Sequence, residues 1–171
     1  MLRAYKVKIQ PNQKQLKIIH KTIGTCRWIY NKFIEINQIR YKNKLKYMNG
    51  YHFSKWLNNE FIPNNPDKLW IKESASKAIK QSIMNAHRAY QYAFKKQKGF
   101  PKFKKKQSVG SYYLIGSIYC ERHRIKLPKL GWVRLKEKGY VPKHNIKSVT
   151  VSKEFDRYYL SLIHISERAG K

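Results

Sequence analysis

The stretch LRAYKVKIQP, Leu2 to Pro11, decides how the rest of the chain is organised. Leu2, Ala4, Val7 and Ile9 are spaced roughly as one face of a strand, with lysines between them, and Pro11 closes the run. A short first strand over residues 1–10 is predicted. Long helical patterns follow it, and further β-rich runs come only after those. The helices, expected over 11–107, therefore read as an insertion into a sheet domain that resumes at 108–162.

Within NQKQLKIIHKTIGTCRWIYNKFIEINQIRYKNK, Asn12 is a candidate cap. Leu16, Ile19, Ile23, Cys26, Tyr30 and Phe33 step by three and four, which is one helix face. Gly24 costs about 1 kcal/mol relative to alanine inside a helix. The stripe stays in phase across it, which favours one long helix over a helix-turn-helix with its turn at Gly24. A short helix is expected around Ser54–Phe61, then a Pro/Asn turn. Ala75, Ile79, Ile83, Ala86, Tyr90 and Phe94 give a second stripe, and the helices should pack as a small bundle. From Ser111 onward, SYYLIGSIYC, RIKLP, GWVRLKE, IKSVTVS and YYLSL are short β-rich runs between turn residues. They suggest a small barrel or curled sheet. The expected class is α+β, a small β-barrel domain interrupted by an inserted helical bundle.

Thirty-eight Lys and Arg against nine Asp and Glu give a net charge of +29 on 171 residues, with 42% hydrophobic residues. Such a chain has enough apolar material for a core, yet its charge repels itself unless a polyanion neutralises it. Nucleic acid is the natural partner. A membrane is the main competitor, but no run of 18 apolar residues exists and the N-terminus lacks an apolar signal region. Cys26 and Cys120 form neither a disulfide framework nor a CxxC zinc site, which fits a reduced, cytoplasmic protein.

In FKKQKGFPKFKKKQ, Lys95, Lys96, Lys98, Lys102, Lys104, Lys105 and Lys106 supply a dense track for phosphates. Phe100 and Phe103 either anchor this segment in the protein or stack on bases, as single-strand binders do. Catalysis has little to work with. Two-metal nucleases need converging carboxylates, and the chain has only Asp67, Asp156 and seven scattered glutamates. The six histidines are isolated, and no phosphate-binding glycine loop or dinucleotide fingerprint occurs.

Three stretches carry a resemblance. The opening AYKVKIQPNQKQLKIIHKTIGTCRWIYNKFIE, with Gly24, Arg27, Tyr30 and Asn31 in a Gly-x-x-Arg-x-x-Tyr-Asn pattern, is similar to that of TnpB, the OrfB-type protein of insertion sequences. QSIMNAHRAYQYAFKKQKGFPKFKKK resembles a second signature of that family, and RIKLPKLGWVRLK a third. The resemblance implies a β-barrel wedge domain interrupted by a helical recognition domain. It implies RNA-guided DNA cleavage by the full-length family, with structured guide RNA and double-stranded DNA at a target-adjacent motif as partners, in the prokaryotic nucleoid. In such systems base pairing reads sequence, while protein reads the adjacent motif and backbone shape.

Carried onto this sequence, the resemblance makes Tyr51, Ser54, Ser76, Lys77, Lys80 and Gln81 candidates for the target-adjacent duplex. Arg27, Tyr30, Asn31 and the lysine track are candidates for nucleic acid generally. The family's RuvC-type Gly-x-Asp-x-Gly motif and its zinc element are missing from this sequence. Mg²⁺ and Zn²⁺ are accordingly expected only in a missing C-terminal part, and this chain is not expected to be an enzyme alone. LSLIHISE also resembles the translation of a common transposon-based sequencing adapter. Residues 163–171 are thus expected to be an aberrant tail on a chain without its nuclease domain. A gene shortened by frameshift is the alternative. A stand-alone helix-turn-helix repressor of an insertion sequence is the rival function.

Overall fold

The computed structural model describes residues 1–165. Strand β1 (Leu2–Gln10) is followed by α1 (Gln13–Lys42), α2 (Gly50–Trp56), a π-helical turn (Leu57–Phe61), α3 (Ile62–Asn64), a 3₁₀ stretch (Pro66–Glu73) and α4 (Ser76–Phe94). Strands β2 (Val109–Leu114), β3 (Tyr119–Cys120), β4 (Arg124–Leu127), β5 (Gly131–Leu135), β6 (Ile146–Glu154) and β7 (Arg157–Ile165) complete the chain. Two units result. One takes Met1–Ile23 and the chain from Gln107 onward; the other is Gly24–Lys106.

In the sheet unit the strand order is β2-β6-β7-β1-β5-β4-β3, and every pairing is antiparallel. The first strand lies inside the sheet, matched to β7 from Leu2↔Ile165 to Ile9↔Tyr158 and to β5 at Ile9↔Leu135. This placement is what an insertion between β1 and β2 requires. The α+β class holds, but the sheet is open and does not close into a barrel: β2 and β3 are its two edges. β3 has only two residues, too few to carry a closing ladder.

Val7, Ile9, Leu114, Ile125, Leu127, Val133, Leu135, Val149, Val151, Leu160 and Leu162 fill this core. Side chains alternate along a strand, so the inward face of β1 is Tyr5, Val7 and Ile9. Leu2 and Ala4 fall on the other parity and are exposed, which corrects the face expected from sequence. Leu160 lies opposite both Val7 and Val151. The expected tail overlaps the end of β7 through Ile165, and its remainder, 166–171, lies outside the described residues.

Asn12 and Gln15 cap α1 reciprocally. Gln15 N–H donates to Asn12 Oδ1 at 2.8 Å, and Asn12 N–H donates to Gln15 Oε1 at 3.0 Å, a capping box. The buried Gln15 amide also donates to the carbonyls of Leu130 and Trp132. One side chain thereby starts the helix and pins the β4–β5 turn. Gly110 lies against the same helix: a Cβ there would come within 2.7 Å of Ile23 Cγ2.

α1 runs unbroken through Gly24, so the long helix is formed and the turn is not. In the helical unit, Ile29, Phe33, Ile34, Phe53, Leu57, Ile62, Ile71, Ile83 and Ala86 form the core. Aromatic edges knit it together, with Phe33 and Phe53 ring centres 5.1 Å apart and Phe33 and Tyr90 5.9 Å apart. The second stripe is buried at Ala75, Ile83, Ala86 and Tyr90, but Phe94 is half exposed. The region expected as a short helix is longer, helical from Gly50 to Asn64. Its π turn has a cause in Pro63, which offers no N–H to the carbonyl of Asn59 and whose ring would clash with it. The wider turn instead bonds Ile62 N–H to the Leu57 carbonyl.

Candidate nucleic-acid interface

The basic segment after α4 is held by a side chain from α1. Asn31 Nδ2 donates to the Lys104 carbonyl at 2.9 Å, and Lys104 N–H donates to Asn31 Oδ1 at 2.7 Å. The amide thus pairs with the backbone of an extended segment as a neighbouring strand would. One residue earlier on α1, the ring of buried Tyr30 lies under Lys104, whose Nζ is 4.0 Å from the ring centre. This is a close cation–π contact. Tyr30 and Asn31, expected at nucleic acid, are therefore placed as supports of the lysine segment. Lys104 makes that contact and remains exposed beside the other lysines.

Burial sets the electrostatics beneath. Desolvation lowers the Lys104 pKa, and burial pushes the Cys26 thiol up to about 12. Cys26 Sγ is 3.6 Å from the Ala78 carbonyl, and Ser82 Oγ donates to the Cys26 carbonyl at 2.6 Å, which ties α4 to α1. Lys95, Lys96, Lys98, Lys102, Lys105 and Lys106 are exposed. Phe100 meets Phe94 and Tyr90 edge-on, with centres 6.1 and 6.2 Å away, yet is 65% exposed. It is anchored along one edge with a face left open. Phe103 is half exposed.

α4 leaves its core at Ala93 and stops in a Schellman turn: Lys96 N–H bonds the Ala93 carbonyl and Gln97 N–H the Tyr92 carbonyl. That turn needs a left-handed residue, and Lys96 occupies it at φ 57°, a position glycine ordinarily fills. The lysine carries a conformational penalty there.

A groove of about 740 Å³ opens between α2 and α4, lined by Tyr51, Ser54, Lys80 and their neighbours Asn58, Met84 and His87. Three residues expected at the target-adjacent duplex thus share one site. Ser76 and Lys77 are exposed at the start of α4, and Gln81 Nε2 donates to Asn85 Oδ1 at 2.9 Å. His87 Nδ1 is 2.7 Å from the Tyr47 hydroxyl with the two rings stacked; burial lowers the His87 pKa and raises that of Tyr47. Arg27 is half-buried, its guanidinium 3.8 Å from where a Cβ on Gly24 would stand.

Sequence reasoning missed a second stripe on α4. Gln81, Asn85, Arg88 and Tyr92 step by four, three and four, so they share a helix face apart from the apolar one. The signal was present, but polar residues at helical spacing read as a solvated face. Among the described residues, no three His, Cys, Asp or Glu side chains come together to hold a metal. No helix among them is long and apolar enough to cross a membrane.

An OrfB-type family model, described as a helix-turn-helix domain, matches residues 1–46, which here form β1 and the unbroken α1. Over 168 residues the chain is 32% identical to InsQ of Escherichia coli (strain K12), a protein whose name proposes an RNA-guided DNA endonuclease. The match covers 97% of this chain and 41% of InsQ, so the chain spans less than half the length of that relative.

Proposed function

We propose that this OrfB-type, TnpB-like chain is a nucleic-acid-binding portion of an RNA-guided system: its exposed lysine track grips structured RNA, and its α2–α4 groove meets duplex beside a target. The observation that carries the reading is the Asn31–Lys104 clamp, which joins two of the recognised sequence motifs and presents the surrounding lysines on a fixed backbone. A merely solvated charge run has no use for such a hold. Cutting is assigned to the part of the relatives that this chain does not span, along with the Mg²⁺ and Zn²⁺ expected there. The role proposed for this chain is binding alone. A repressor built on a helix-turn-helix is disfavoured by the unbroken α1.

The test is equilibrium binding of the purified chain to a structured RNA hairpin and to unrelated DNA duplexes at several salt concentrations. Tighter binding to the hairpin is expected, with a steep loss of affinity as counterions compete. Equal affinity for every polyanion would reduce the activity to nonspecific charge. Cleavage of DNA by this chain with guide RNA and Mg²⁺ would overturn the assignment of cutting elsewhere.

A further inference from the structure

We propose that a separate pocket on α4 receives one unstacked nucleotide from a single-stranded or bulged segment of the bound RNA, an inference that rests on the function proposed above. The pocket has a volume of about 330 Å³ and is lined by Tyr30, Asn85, Arg88, Ala89, Tyr92 and Lys98, with Gly99 and Pro101 along its rim. None of these residues is among those the groove uses.

Each wall has a part. Asn85, Arg88, Ala89 and Tyr92 occupy successive turns of one face of α4, and the chain after the helix folds back as Lys98 to Pro101 to close the other side. Ala89 ends at its Cβ, so the floor between Asn85 and Tyr92 is a slot with room for a flat ring. Tyr92 is 39% exposed, and Lys98 Nζ lies 5.4 Å from its ring centre. An aromatic surface beside a cation is the combination that single-stranded nucleic acid takes, base on ring and phosphate on ammonium or guanidinium.

Arg88 adds a planar fork suited to a phosphate. Asn85 has its carbonyl oxygen engaged by Gln81, so its amide nitrogen is the end left to donate to a base edge. Arg88 and Lys98 are the two charged residues that line the space, and both favour an anionic ligand. Its volume sits at the low end of ordinary ligand pockets, roughly 300–1,000 Å³. It suits a single splayed-out nucleotide and is too small for a stacked duplex, and extruded bases are the ones proteins read on RNA.

The experiment uses the full 171-residue chain and two RNA hairpins with the same number of phosphates. One has a fully paired stem, the other a single unpaired nucleotide in the stem. Fluorescence anisotropy should show about tenfold tighter binding to the bulged hairpin, the worth of one base stacked on an aromatic ring. Ala89→Leu fills the slot and Tyr92→Ala removes the platform; both should erase the preference while leaving affinity for the paired hairpin within about twofold. Tyr92→Phe, which keeps the ring and the fold, should retain it. Equal affinity of the unmodified chain for both hairpins overturns the pocket, as does a preference that survives Ala89→Leu and Tyr92→Ala. Failure to bind either hairpin is a different result and sinks the proposed function itself.

Discussion

At Lys96, stability and binding pull in opposite directions. Its left-handed backbone costs a non-glycine residue about 1 kcal/mol, while its ammonium extends the basic track. Lys96→Gly is therefore expected to stabilise the helical unit by up to ~1 kcal/mol while lowering the salt dependence of RNA binding by about one counterion. Chemical denaturation and a salt titration of affinity read the two effects separately. Asn31 acts the other way. Asn31→Ala removes both hydrogen bonds to Lys104, costs about 1 kcal/mol of stability, and should speed hydrogen exchange at the Lys104 amide. Unchanged exchange there would show that the clamp holds nothing. Gly110→Ala places a Cβ within 2.7 Å of a methyl on Ile23, a β-branched side chain with little freedom to move, so destabilisation of roughly 1–3 kcal/mol is expected.

Among the elements, α1 was readable because its stripe keeps phase for many turns. Gly24 settles at no steric contact closer than 3.8 Å and a helical backbone. Gly24→Ala should accordingly raise stability by about 1 kcal/mol, measurable as a shift in the denaturation midpoint; a loss would revive the turn. The first strand was legible as a strand, but its buried face was misassigned, since Leu2 and Ala4 have the composition of a core face and the wrong parity. The π turn was not legible, because Pro63 marks a break and says nothing about how the break is absorbed. The clamp was hidden for a different reason: Asn31 and Lys104 are 73 positions apart, and no local pattern announces a side chain that imitates a strand. The groove was half legible, through residues on two helices whose facing is a tertiary fact. His87 in that groove titrates in a useful range. Burial lowers its pKa from the ordinary 6.5, so the unfolded chain takes up the proton first. Stability from the neutral Tyr47–His87 pair is present above about pH 6.5 and is lost as pH falls through the lower folded value. His87→Phe should flatten that acid limb, followed by thermal melts between about pH 7 and 5.

For the molecule as a whole, a charge of +29 makes salt act with two signs. Without a partner the like charges repel one another, and added salt screens that repulsion, since the Debye length falls to about 10 Å at 0.1 M. The melting temperature of the free protein is therefore expected to rise with salt. With a structured RNA present, binding to the native state stabilises by about 2.7 kcal/mol at a hundredfold excess over Kd, which corresponds to a rise of roughly 10–20 °C for units of this size. That increment depends on counterion release and should vanish between low and moderate salt. Scanning fluorimetry over a salt series, with and without RNA, should give two curves that start well apart and converge. Parallel curves would mean that the RNA is held by contacts other than phosphate neutralisation, and the lysine track would lose its assigned role. A free protein that melts lower in salt would mean that its few carboxylates, such as Glu154 bridged to Lys6 and Glu121 to Arg124, outweigh the excess of cations. With nine acidic groups against thirty-eight basic ones, the balance of repulsion favours the first outcome.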